Sequence, residues 1–253
     1  MTISLDGLPS LDTHAHIDPT VTTRQVAALG HSHTFAVTRS LDEARQVPRW
    51  TADRLTWGIG VHPAVKEAQQ AYEPATFAAL LPKFSVVGEV GLDKRAGNLP
   101  DQIKTLTSIL QIAAGHPVLL SLHSTGAADQ LLDVLERHPH PGAILHWWTD
   151  AGPALDRAIA TGAYFSVNAS MRRSLIDRIP ADRLLPETDF PASRAGERRP
   201  GDTTKIEALL SEDWETAPQT TRHRLWVNLR RLATRAGALD RLPEPLGDIL
   251  ESV

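Results

Sequence analysis

Two histidines two residues apart, His14 and His16, follow the short apolar run Leu8 to Leu11 and lead into Ile17-Asp18-Pro19. In an extended segment, residues i and i+2 point to the same face, so one strand end aims both imidazoles at a single point. That is metal-ligand spacing. Alone the pair is a weak signal, because His31-Ser32-His33 repeats it without an obvious partner. Four further segments give it weight. Glu89 comes just after Phe84 to Val87, His123 after Pro117 to Leu122, His146 after Ala143 to Leu145, and Asp189 after Leu184 to Pro186. Each is a metal-ligating or proton-transferring side chain at the carboxyl end of a strand-length apolar run. In architectures of parallel strands, ligands and catalytic groups gather at that end. Five strand ends therefore converge on one mouth.

The elements that must position these residues alternate between β-prone runs and helical patterns, as in successive βα units of a parallel sheet. Strands are predicted near Leu8 to Asp12, Thr34 to Thr38, Leu55 to Gly60, Ser85 to Gly88, Val118 to Leu122, Ala143 to His146, Tyr164 to Val167 and Leu184 to Glu187. Helices are predicted over Thr22 to Leu29, Pro74 to Leu81, Asp101 to Ala114, Ala127 to Arg137, Ala154 to Ala160 and Gln219 to Ala236. Several of these end at glycines, such as Gly30 and Gly115, suited to a left-handed terminating turn. The stretch Arg194 to Asp202, rich in Arg, Gly and Pro, directly follows the Asp189 segment and is a candidate lid or phosphate-contact loop.

A length of 253 residues suits one barrel domain spanning residues 1–253 and buries a substantial core. A formal net charge of −4 argues against a general nucleic-acid coat, so contact with a polyanion must come from a local patch and bound cations. Zero cysteines removes disulfides, thiolate zinc sites and cysteine nucleophiles together, leaving His and carboxylates as the strong ligands. No stretch approaches the roughly 18 apolar residues of a membrane span, and no basic-then-apolar leader opens the chain. No membrane partner and a cytoplasmic setting are expected. Ser121 and Ser124 flank His123 without a nucleophile-elbow pattern, which disfavours a serine hydrolase.

The series LDTHAHID, GIGVHP, GEVGLD, LLSLHS, ILHWWTD and PETDFP, in this order over nearly the whole chain, resembles the TatD family of metal-dependent hydrolases and deoxyribonucleases in the amidohydrolase-like superfamily. The resemblance implies a TIM-type (β/α)8 barrel, one or two divalent ions (Zn, Mg or Mn), and hydrolysis of DNA phosphodiester bonds, with single strands or strand ends as partner. It implies that His14, His16, Glu89 and Asp189 hold one ion and that Glu89, His123 and His146 hold the second, Glu89 bridging. A carboxylate has two oxygens and spans ions about 3.5–4 Å apart, which suits it to that place. Asp189 is then the expected proton acceptor for the attacking water, with Glu89 the other catalytic carboxylate.

His62 matches a family motif and is expected to contact substrate. Trp147, or its neighbour Trp148, is expected to stack a nucleobase at the mouth. His31, His33, His138, His140 and His223 have no matching context and are read as surface or structural. The substrate shell departs from the family: Thr125 stands where an Arg commonly follows the third His. After the Asp motif, Arg194, Arg198, Arg199 and Pro200 are present without the usual Asn. These three arginines are expected to compensate as phosphate contacts. Against the nuclease stands an amidohydrolase-type hydrolase of a small ester, lactone or amide, and more remotely a metal- or nucleic-acid-binding partner without turnover.

Overall fold

The computed structural model describes residues 7–192 and 196–253. Eight strands, β1 (Ser10–His16), β2 (Ser32–Val37), β3 (Leu55–Ile59), β4 (Val86–Asp93), β5 (Leu119–Thr125), β6 (Ala143–His146), β7 (Tyr164–Val167) and β8 (Leu184–Pro186), form one parallel sheet hydrogen-bonded in chain order. The seam between β8 and β1 is drawn together by other bonds. Asp189 N–H donates to the His14 carbonyl at 2.9 Å, and His16 N–H donates to the Phe190 carbonyl at 2.9 Å. The buried Asp12 carboxylate accepts from Thr188 N–H at 2.9 Å, from the Thr188 hydroxyl at 2.7 Å and from Gly201 N–H at 2.8 Å. The result is a nearly closed (β/α)8 barrel of TIM type.

All eight strands lie where the apolar runs place them, but three run further than those runs. β1 extends through both histidines, β4 to Asp93 and β5 to Thr125. Pairing of Gly91 with His123 and of Asp93 with Thr125 continues the ladder past the last apolar residue. The backbone bonds do not require apolar side chains, so a hydropathy pattern ends the strand too early.

The helices are α1 (Thr23–Ala27), α2 (Leu41–Gln46), α3 (Lys66–Gln70), α4 (Pro74–Leu80), α5 (Leu99–Ala113), α6 (Ala128–Arg137), α7 (Pro153–Ala160), α8 (Arg173–Ile176), α9 (Thr204–Asp213), α10 (Pro218–Arg235) and α11 (Glu244–Ser252). Five of them, α2, α3, α8, α9 and α11, go beyond the sequence expectation. Most are too short for a periodic apolar stripe to register. α1 begins on a reciprocal cap, in which Gln25 N–H donates to the Thr22 hydroxyl and Thr22 N–H donates to the Gln25 side-chain oxygen. No helix among the described residues is long and apolar enough to cross a membrane.

Two apolar masses hold the barrel. One lies between strands and outer helices, where Leu106, Ile109 and Leu110 of α5 and Leu131, Leu132 and Leu135 of α6 are buried. The other plugs the amino end. There Leu11, Phe35, Val86, Leu119, Ile144 and Leu185 meet Trp226, Leu229 and Leu232 of α10 and Leu246 and Leu250 of α11. The Trp226 indole N–H donates to the Pro9 carbonyl at 2.9 Å, fixing α10 across that opening. The carboxyl end is left for polar chemistry.

Candidate metal centre

Two breaks in strand register build the site. β1 shifts register between Asp12 and Ala15, and β4 between Val87 and Val90. Such irregularities re-aim side chains. His14 lies inside the first break and Glu89 inside the second. Close backbone approach around Glu89 explains two glycines of the sequence. A Cβ on Gly60 would stand 1.9 Å from the Thr38 carbonyl oxygen, and one on Gly91, at φ +146°, 2.2 Å from that of His123.

Glu89 is the centre of the constellation. Its Oε2 lies 3.4 Å from His14 Nε2, 3.1 Å from His16 Nε2 and 3.1 Å from His62 Nε2. Its Oε1 lies 2.6 Å from His123 Nδ1 and 3.2 Å from His146 Nε2. Asp189 Oδ1 completes the first side, 3.7 Å from His14 Nε2 and 3.6 Å from His16 Nε2. The six expected ligands thus meet in one place, and all but the fully buried His14 line a cavity of about 650 Å³. Asp189 occupies the left-handed region at φ 45°, as does Trp147 at φ 39°, a costly conformation that clusters at functional sites.

The orphaned atoms test whether this set fits a cation. Glu89 is buried, and neither of its oxygens has a directed hydrogen-bond donor despite the crowding nitrogens; His14 Nε2 is likewise buried without one. A desolvated carboxylate left this way is costly unless a cation serves both oxygens. Three groups of donors, His14-Glu89-His146, His14-His16-Asp189 and His16-His62-Glu89, have ligand atoms within 4.8 Å of one another. The residues fit divalent metal.

Electrostatics follows from the same crowding. Burial works to raise Glu89, but the imidazoles of His62, His123, His146 and His14 hold it well below the usual carboxylate range. Burial, reinforced by His146, holds His14 well below the ordinary imidazole value. Burial opposes protonation of His146 as well, yet Glu187 and Glu89 carry it well above. Burial pushes Asp189 up to about 7, against the attraction of His146.

Three orienting partners escaped sequence reasoning. His14 Nδ1 meets the Ser121 hydroxyl at 2.7 Å, His146 Nδ1 lies 3.3 Å from Glu187 Oε2, and His123 Nε2 lies 3.4 Å from Asp93 Oδ2. Ser121 and Glu187 each occupy the second nitrogen of a ring whose first faces Glu89, which fixes tautomer and ring orientation, whereas Asp93 lies beside His123 Nε2 without a directed hydrogen bond. Glu187 is itself held by the Ser166 hydroxyl and by Asn168 Nδ2 at 3.0 Å. A faint signal existed, since Asp93 and Glu187 belong to the same motifs as Glu89 and Asp189.

The expected substrate contacts separate. His62 turns its Nε2 on Glu89 rather than standing clear of the ligands. Trp147 lines the cavity, whereas Trp148 is buried edge-on to Phe165 with its indole N–H donating to the Asp150 carbonyl at 2.6 Å. Arg198 borders a neighbouring groove of about 500 Å³ that reaches the site at His16. Arg199 borders it too, but its guanidinium donates to the Leu29 carbonyl and lies against Gly30, so it is tied to the end of α1 instead of being a mobile contact. Arg194 lies outside the described residues. His33, read as structural, is buried, with Nε2 2.8 Å from the Thr56 hydroxyl.

A family model described as TatD related DNase matches residues 11–234. The chain belongs to the TatD family. Within that family, a 3'-5' ssDNA/RNA exonuclease TatD of Erwinia billingiae is 30% identical over 155 residues, 56% of this chain and 59% of the relative. The corresponding protein of Citrobacter koseri is 31% identical over 188 residues, 68% of this chain and 72% of the relative. The chain spans 56–59% of the length of several curated relatives it matches, that of Escherichia coli among them. In shape, the crystal structure of a hydrolase TatD family protein from Entamoeba histolytica superposes with a TM-score of 0.70 at 13% identity, covering 88% of this chain and 97% of the other. TatD family membership carries the use of divalent metal with it.

Proposed function

We propose that the chain is a divalent-metal-dependent hydrolase that cleaves phosphodiester bonds of DNA, acting on single strands or strand ends. The observation that carries this reading is the two-sided environment of Glu89, with His14 and His16 gathered at one oxygen, Asp189 beside those two imidazoles, and His123 and His146 at the other oxygen. Those residues would hold the metal, with Glu89 shared and His62 an additional donor on the Oε2 side. When bound, divalent ions supply a water acidic enough to attack phosphorus and positive charge to stabilise the oxygens of the displacement.

The chain's own groups do the rest. Asp189, at the cavity wall, takes the proton of the attacking water. Ser121 and Glu187 accept the Nδ1 protons of His14 and His146, which keeps each Nε2 lone pair directed at the site. Trp147 offers a face on which a base stacks, a sequence-tolerant contact worth about 1–3 kcal/mol. Imidazole and carboxylate donors without thiolate suit zinc or manganese, with magnesium the third candidate.

Digestion of end-labelled single- and double-stranded DNA by chelator-treated protein, reconstituted with each ion in turn and run beside small phosphate esters, lactones and amides, tests the reading. Shortening of the single strand in a metal-dependent ladder is expected. Turnover of a lactone or amide with the DNA left intact would overturn it.

A further inference from the structure

The cavity above Glu89 has an acidic and imidazole floor, yet a phosphodiester brings negative charge. Among the described residues that line it, Arg95 is the one Arg or Lys. Its side chain is exposed, and its guanidinium makes no hydrogen bond or ion pair with any described residue. Three other arginines among the described residues are held by partners. Arg199 is bound to the Leu29 carbonyl, Arg172 donates to the Thr149 carbonyl at 3.0 Å, and Arg39 pairs with Glu43.

The backbone that presents Arg95 is unusually well fixed for a loop. Asp93 Oδ1 accepts from Arg95 N–H at 2.7 Å and from Ala96 N–H at 3.3 Å, while Oδ2 lies 3.4 Å from His123 Nε2. The buried Gln102 of α5 clasps the same turn, accepting from Asp93 N–H at 2.7 Å and donating to the Asp93 carbonyl at 3.0 Å. One carboxylate therefore links the turn carrying Arg95 to His123. A free guanidinium on an anchored turn binds an anion without ordering the backbone, so the entropy lost is that of its own side chain.

We infer that Arg95, with the hydroxyls of Ser124 and Thr125 that line the same wall, forms an anion subsite for a phosphate of the substrate strand on the His123 side of Glu89. The inference rests on the phosphodiesterase reading above. It assigns to the end of β4 the cation that the sequence leaves absent at Thr125. Asp93 and Thr125 are register partners on β4 and β5, so a guanidinium from either strand starts from adjacent positions at this rim. Ser124 and Thr125 supply hydroxyl donors, and the fork of Arg95 supplies charge and geometry.

The test compares wild type, Arg95→Gln and the double variant Arg95→Gln with Thr125→Arg. A labelled single-stranded oligonucleotide is followed by equilibrium binding across a salt series and by steady-state cleavage. Arg95→Gln should weaken binding and raise KM roughly tenfold, the scale of one hydrogen-bonded charge. It should also reduce the slope of log K against log salt by about 0.7, the value for one phosphate contact on a single strand. Adding Thr125→Arg should restore both, an outcome that a merely structural role for Arg95 does not predict. Unchanged binding, KM and salt slope in Arg95→Gln would overturn the subsite while wild-type cleavage leaves the nuclease reading standing. A wild-type protein that neither binds nor cuts the oligonucleotide removes that reading and the subsite with it.

Discussion

The two ends of the same eight strands have been given opposite tasks. At the amino end, Leu11, Phe35, Val86, Leu119, Ile144 and Leu185 face α10 and α11, and the opening is filled with apolar side chains. Toward the carboxyl end, β1, β4, β5 and β6 carry histidines and carboxylates, several of them buried with atoms that lack any directed partner. Full burial of a large apolar side chain contributes about 1.5–3 kcal/mol, whereas an unsatisfied buried polar group costs about 1–3 kcal/mol. One end of the barrel stabilises the fold, and the other draws on that stability to keep together a group of side chains that could hold a cation.

This contrast breaks first at Asp189. Replacement by Asn should lower kcat by about 10²–10⁴-fold, the span of a lost general base, because an amide is a poor proton acceptor. The metal-free Tm should stay level or rise, since a carboxylate that burial pushes up to about 7 no longer has to be accommodated. Rapid turnover alongside a lowered Tm would place Asp189 with the core residues. Trp226→Ala, at the opposite end, should do the reverse. Denaturant unfolding should show a loss of about 3–5 kcal/mol, with divalent-ion affinity of the folded protein unchanged.

His33 sharpens the comparison among the histidines. It is buried on β2 away from the constellation, and burial lowers it from 6.5 to about 4. Between those values the unfolded chain binds the proton and the folded chain does not, so stability falls as pH drops through that window and levels off below about 4. At about 1.36 kcal/mol per pH unit the whole effect is about 3 kcal/mol. Denaturant midpoints recorded from pH 7 to 4 should fall less steeply in His33→Gln than in wild type. Parallel slopes would show that His33 does not titrate with folding. The smallest effect belongs to Ser121→Ala, which frees His14 Nδ1 and should weaken metal binding about tenfold by calorimetry while the fold persists.

Much of the centre was legible because its ligands obey one-dimensional rules. His14 and His16 share a strand face by their spacing, and Glu89, His123, His146 and Asp189 each follow an apolar run. What the sequence hides are properties of pairs. The register breaks that turn His14 and Glu89 inward exist only relative to β2 and β5. Ser121 becomes a partner of His14 across 107 residues, and Glu187 a partner of His146 across 41. Trp147 and Trp148 look alike in the sequence and part only when β6 ends in a turn at φ 39°. Arg199 looks like a mobile cation until α1 is seen to end beside it. The eight strands were visible for a simpler reason. Most carry a short apolar run, as burial on both faces favours, and β1 is marked by the Leu8 to Leu11 stretch that leads into it.

The central claim is that Glu89 organises a divalent-cation site from both of its oxygens. Calorimetric titration of chelator-treated protein with Zn²⁺ and Mn²⁺ tests it most directly, with Glu89→Gln measured in parallel. Wild type should bind saturably and rise in Tm as ion is added, because a ligand bound only by the folded state stabilises it. The amide variant should remain folded and lose at least tenfold in affinity. Binding of equal strength and stoichiometry in Glu89→Gln would contradict the account.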